Sequence, residues 1–186
     1  MGKNWLEYIM ALHAAPMLKG IKPGSLLSFP KNKFEDFKRL LNSYKTCFLC
    51  KGITICPMIE SERYISVFFF RKKLLEIALE DSLALKILKD AGYGENWDLD
   101  LKLALLKERM KKGPFPHEIG LFLGYPPQDV LGFIKHKGHD FLISGYWKVY
   151  ENEDEMRKLF EDYASCTKEM CQKLAKGVDF SELLAG

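Results

Sequence analysis

Three of the chain's four histidines, half of its eight prolines and six of its 14 glycines fall between residues 113 and 150, together with three tyrosines. Such a density of shape-restricting residues marks a segment with a defined local geometry. Pro116 suits the first position of a helix, because its missing N–H would be unpaired there anyway. His117 and Glu118 would then occupy the first turn, where backbone N–H groups are free and the dipole is positive. An imidazole kept neutral in that field has one lone pair to offer a ligand, a metal or a proton. Glu118 could cap the same N–H groups or join a site. Tyr125, Tyr146 and Trp147 combine an apolar body with a polar tip and suit a pocket wall as well as a core. His136 and His139 flank Gly138 in a loop and read as solvated.

The five cysteines are an odd number with no leader sequence before them, which points to free thiols in a reducing cytoplasm. Cys47-Phe-Leu-Cys50 is the suggestive pair. It reads as structural thiols, a redox motif or half of a zinc site. Cys166 and Cys171 lie five residues apart on a helical pattern, about 140° around the axis from each other, so they could not both face one metal. The CxxC is expected to open a strand, without a helix dipole to activate a thiol.

The elements that must position these residues follow from apolar periodicity. Helices are expected over residues 5–14 (stopped by Pro16), 34–44, 72–91 (whole, or broken near Asp81-Ser82), 97–112, 116–123, 126–135 and 154–176. Strands are expected over 25–29, 47–56, 64–71 and 141–150, with the second and third forming an antiparallel hairpin. The fold class is α+β: one domain over residues 1–186, with a small, mainly antiparallel sheet of three to five strands covered by helices. At 186 residues and 47% apolar composition, folding should bury about 70% of the unfolded chain's surface, enough for a core without metal or disulfide staples. No apolar run approaches the roughly 20 residues of a membrane span.

At His13-Ala-Ala-Pro16, Pro116-His-Glu-Ile-Gly-Leu-Phe-Leu-Gly-Tyr-Pro126 and Ser144-Gly-Tyr-Trp-Lys-Val-Tyr150 the chain resembles a bacterial family known as domain of unknown function three-seven-nine-three. The resemblance covers essentially the whole chain. It implies a stand-alone protein of about this size, found mainly in anaerobic gut-type Firmicutes, with no established activity. It also implies that many relatives carry cysteine where this chain has Ala14 and Ile143, so that the first helix and the last strand would meet. His13, His117, Tyr146 and Trp147 would then surround one cavity, and a thiol-dependent activity would be in doubt here. His13, His117 and Glu118 together would suit a borderline metal such as zinc or iron, although nothing in their spacing requires one.

Three functions remain. The first is a small-molecule or metal-binding protein, enzymatic or not, with its site where these motifs converge. The second is an interaction or adaptor module without chemistry, which would expose an apolar patch. The third is a DNA-binding regulator, since residues 118–134 fit a helix-turn-helix with Ile119, Leu123, Val130 and Ile134 at core positions. Charge argues against the last. The net charge of +3 is the balance of a basic first third and an acidic end, residues 113–150 are neutral, and the presumptive recognition helix has no arginine. The identity of any cofactor is unknown from the sequence, and a small molecule or a metal ion stays open as the partner.

Overall fold

A computed structural model describes residues 2–34 and 36–184. The fold is α+β, with a three-stranded antiparallel sheet, a two-stranded ribbon and short to medium helices. Within the domain the chain forms two compact units, Met1–Leu74 with Tyr163–Gly186, and Leu75–Asp162.

The first unit holds α1 (Gly2–Leu18), β1 (Gly24–Pro30), α2 (Phe37–Cys50), β2 (Ile53–Glu60) and β3 (Tyr64–Arg71). The strand order is β1-β3-β2, with Gly24 opposite Phe70 and Ile53 opposite Arg71. The hairpin read from the sequence is therefore β2–β3. As the central strand, β3 is buried continuously from Ile65 to Phe70. That accounts for its nearly continuous apolar run, interrupted by Ser66, which shares a hydrogen bond with Ser28 (2.8 Å), since both faces are covered. Phe29, Phe48 and Phe69 are fully buried, with Phe48 and Phe69 edge to face at 6.1 Å between ring centroids. Pro57 lies on an edge strand where the register shifts before Ile59, a position at which a missing N–H does least harm.

Three expectations in this unit are corrected. Pro16 does not stop the first helix, which continues to Leu18. Extension brings Met17 and Leu18 to full burial, about 1.5–3 kcal/mol each, against a cost of about 3 kcal/mol for an interior proline. The second helix begins and ends later than its 34–44 pattern. Asp36 caps it by accepting from the Arg39 N–H (2.9 Å), and Phe37, Leu41, Tyr44 and Phe48 form its buried stripe. Cys47 and Cys50 thus lie in the last turn of a helix rather than at the start of a strand. The β-branched and aromatic content of residues 47–56 concealed that the 3.6-residue period continues to Phe48.

Arg71 ends β3 and ties this unit together. Its Nε donates to the Met17 carbonyl (2.8 Å), Nη2 to Leu18 (2.6 Å) and Nη1 to Lys51 (2.9 Å). These carbonyls lie at or just past the C-terminal ends of α1 and α2, where orphan acceptors and negative helix poles coincide. Gly20 and Gly52 turn the chain there with φ of 74° and 69°.

The second unit takes most of α3 (Lys72–Leu79), then α4 (Ser82–Asp90), α5 (Leu99–Lys112), α6 (Ile119–Phe122), α7 (Pro127–His136), the ribbon β4 (Ile143–Ser144) and β5 (Lys148–Val149), and the start of α8 (Glu153–Ala175). The break between α3 and α4 falls where Asp81 accepts from the N–H groups of Leu83 and Ala84. Residues 141–150, expected as one strand, form a tight hairpin instead. The end of α8 and α9 (Phe180–Leu183) return to the first unit, where Phe180 packs on Tyr44 and Phe48. Among the described residues no helix is long and apolar enough to cross a membrane.

Replacing Arg71 by Met leaves several half-buried carbonyls without their charged donor. We expect a loss of about 2–4 kcal/mol in urea-unfolding stability, and a change below 0.5 kcal/mol would contradict the clamp. Burial pushes the Lys22 ammonium down to about 8. Between about 8 and about 10.4 the unfolded chain keeps a proton that the folded chain has released, so stability rises with pH across that window. A Lys22→Met variant should therefore be more stable than the parent at pH 7, and the difference should shrink as the pH approaches 10.

Candidate functional site

The second unit builds its site around one carboxylate. Asp129 lies in the first turn of α7 and is 3% exposed. Its Oδ2 accepts from Trp147 Nε1 at 2.7 Å, and its Oδ1 accepts from the backbone N–H of Tyr150 at 2.7 Å and of Glu151 at 3.3 Å. These bonds fix the β4–β5 hairpin and the Trp147 ring relative to α7. Trp147 then stacks on Tyr125, with centroids 4.7 Å apart and planes 25° apart, and meets Phe160 edge-on at 4.6 Å. Two glycines permit this closeness. A Cβ on Gly132 would lie 2.4 Å from the Tyr150 ring, and one on Gly145 would lie 2.4 Å from the Phe160 ring.

Beside the Trp147 wall is a cavity of about 290 Å³, bordered by Phe115, His117, Tyr125, Phe133, Trp147 and Lys148 among others. Its surface is largely apolar, with aromatic and aliphatic side chains together. His117 is exposed and meets Phe133 edge-on at 5.0 Å. Among the described residues, nothing hydrogen-bonds its ring nitrogens. Burial raises the Tyr125 phenol above its usual range, so it stays a neutral donor. Lys148 donates from Nζ to the Gly138 carbonyl (2.6 Å) and lies 5.8 Å and 4.8 Å from the ring centroids of Phe133 and Phe141.

Glu118 takes another role than a helix cap. It is 3% exposed and makes no cap bond. Its Oε1 accepts from Arg109 Nε at 2.6 Å and from the Tyr93 hydroxyl at 3.2 Å. Burial, with the neighbouring carboxylate, pushes the Tyr93 phenol up. Glu118 and Arg109 border a second cleft of about 300 Å³, whose rim also includes Phe115 and His117. His117 thus stands at the edge of both spaces.

Of the residues singled out from sequence, His117, Tyr125 and Trp147 border the first cavity. Tyr146 turns outward, 45% exposed, and packs on Phe160. His13 is exposed on α1, in the first unit, two residues from the buried Leu6–Met10–Ala14 stripe's neighbour Ala11. Ala14 belongs to that unit's core, whereas Ile143 is half-buried in β4 of the second. Among the described residues no three histidine, cysteine, aspartate or glutamate side chains are grouped to hold a metal ion. His136 and His139 are exposed, as expected, with His136 Nδ1 3.2 Å from Asp140. Sequence reasoning missed Asp129, Phe133 and Lys148. An acidic residue beside Val130 on the apolar side of a short helix was the available signal for the first.

Asp129→Ala would leave the Trp147 and Tyr150 N–H groups buried without acceptors. Stability should fall by about 2–4 kcal/mol, and Trp147 fluorescence should shift to the red as its ring loses its fixed place. An unshifted spectrum in a folded variant would contradict the assigned role.

Comparison with curated proteins and with solved structures yields no match. Residues 10–184 match the family model described as protein of unknown function (DUF3793), and the chain belongs to that family.

Proposed function

We propose that the second unit binds a small, largely apolar molecule in the cavity formed by the PHE, LGYP and SGYW motifs. The observation that carries this reading is the fixed Trp147 ring: buried, hydrogen-bonded to Asp129 and stacked on Tyr125, it forms one wall of a space that its own packing does not fill. Rigid aromatic walls with few polar groups suit ligand pockets, because the ordering cost is met during folding rather than on binding. A metal ion finds less support here, since Glu118 already serves Arg109 and Tyr93.

An interaction module without chemistry is the second reading, favoured by Phe141, Leu142 and Tyr146, which are 40%, 54% and 45% exposed around the hairpin. The helix-turn-helix reading is weakened by α6, a single turn of four residues, and by Ile134, a supposed core position that is 38% exposed.

A fragment titration followed by amide and indole NMR separates the first two. Aromatic fragments should move the resonances of His117, Tyr125, Phe133 and Trp147 together and saturably. Fragments that leave these four unmoved would sink the cavity reading and favour the module.

A further inference from the structure

On the reading that this cavity binds a small molecule, we infer that its ligand is a flat aromatic ring carrying one carboxylate, which Lys148 receives. Two charged side chains border the cavity, Asp129 and Lys148. Both oxygens of Asp129 already accept N–H bonds from the protein, so it has little left for a ligand cation. Lys148 is the reverse. Its ammonium has three donors and gives one to the Gly138 carbonyl, with aromatic faces of Phe133 and Phe141 nearby. Among the described residues no carboxylate pairs with it. A half-buried cation with unspent donors beside an apolar space calls for an anionic acceptor.

The rest of the lining narrows the class. Four aromatic residues, Phe115, Tyr125, Phe133 and Trp147, line the cavity beside the aliphatic Ile119, Leu123 and Val130, and ring faces of that number favour a flat π-system over an aliphatic chain of equal volume. The volume of about 290 Å³ lies just below the roughly 300–1,000 Å³ typical of ligand pockets, which leaves room for one or two rings and a short substituent. One lysine balances one negative charge. A phosphate dianion would keep an uncompensated charge against aromatic walls, where desolvation is costly. His117, at the rim with its ring nitrogens unbonded, can add a second donor to the same carboxylate.

The test uses the full chain and three probes with one ring system: 1-naphthylacetate, 1-naphthylacetamide and 1-naphthyl phosphate. Affinities come from calorimetry, and the site from the Trp147 indole resonance. The acetate should bind about tenfold more tightly than the neutral acetamide at pH 7, a difference of about 1.4 kcal/mol, and more tightly than the phosphate. Lys148→Gln should abolish the acetate's advantage and leave acetamide affinity unchanged, whereas Lys148→Arg should keep it. Equal affinities for acetate and acetamide, a preference for the phosphate, or an equal loss of both affinities in a folded Lys148→Gln variant would each overturn the assignment while leaving the cavity reading intact. If Lys148→Gln does not fold, the comparison of probes on the parent and on Lys148→Arg still decides. Failure of all three probes to move Trp147 would overturn the cavity reading as well.

Discussion

A carboxylate taken out of water must find donors for its oxygens, and Asp129 finds them by pulling a hairpin onto a helix. One of its bonds reaches a side chain, Trp147 Nε1, and two reach consecutive backbone N–H groups, at Tyr150 and Glu151. The hairpin strands are only two residues each, too short to persist on their own pairing. The buried charge is therefore what gives the ribbon a fixed place, and the cavity wall exists because the ribbon does. Shape and electrostatics are coupled here: the group that sets the wall has little capacity left to bind a ligand.

The first unit solves the mirror-image problem. There the scattered orphans are carbonyls at the ends of two helices, and a cation collects them: Arg71 reaches Met17, Leu18 and Lys51 from the end of the central strand. A guanidinium suits that task because its planar fork presents donors in several directions at once. In each unit one charged residue holds together elements distant in sequence, Asp129 from a buried position and Arg71 from a half-buried one.

What was legible in the sequence followed from periodicity. The amphipathic stripe of α5, the interruption of α3 and α4 at Asp81, and the nearly continuous apolar run of β3 all have local causes. Where local rules competed, the reading failed. Proline at position 16 argued for a stop, but burial of Met17 and Leu18 carried the helix on. Residues 47–50 looked strand-like by composition, yet the Tyr44–Phe48 spacing kept them helical. The site was half visible. His117, Tyr125 and Trp147 stood out by type and clustering, while Lys148 and Asp129 were single ordinary charges whose importance lies in partners 10 and 18 to 22 residues away. A charge's partner is a tertiary fact, and a single sequence does not carry it.

Gly132 and Gly145 divide the site's positions into two kinds for heritable variation. Gly145 lines the cavity and Gly132 does not, yet a single added carbon at either one collides with an aromatic ring, that of Phe160 or of Tyr150 respectively. Residues such as Leu123 and Ser144, which line the cavity, can change in size or polarity and alter its volume and surface. The glycines admit no such gradation. Change in the first set alters the lining of the cavity, whereas change in the second displaces the aromatic rings packed against the glycines.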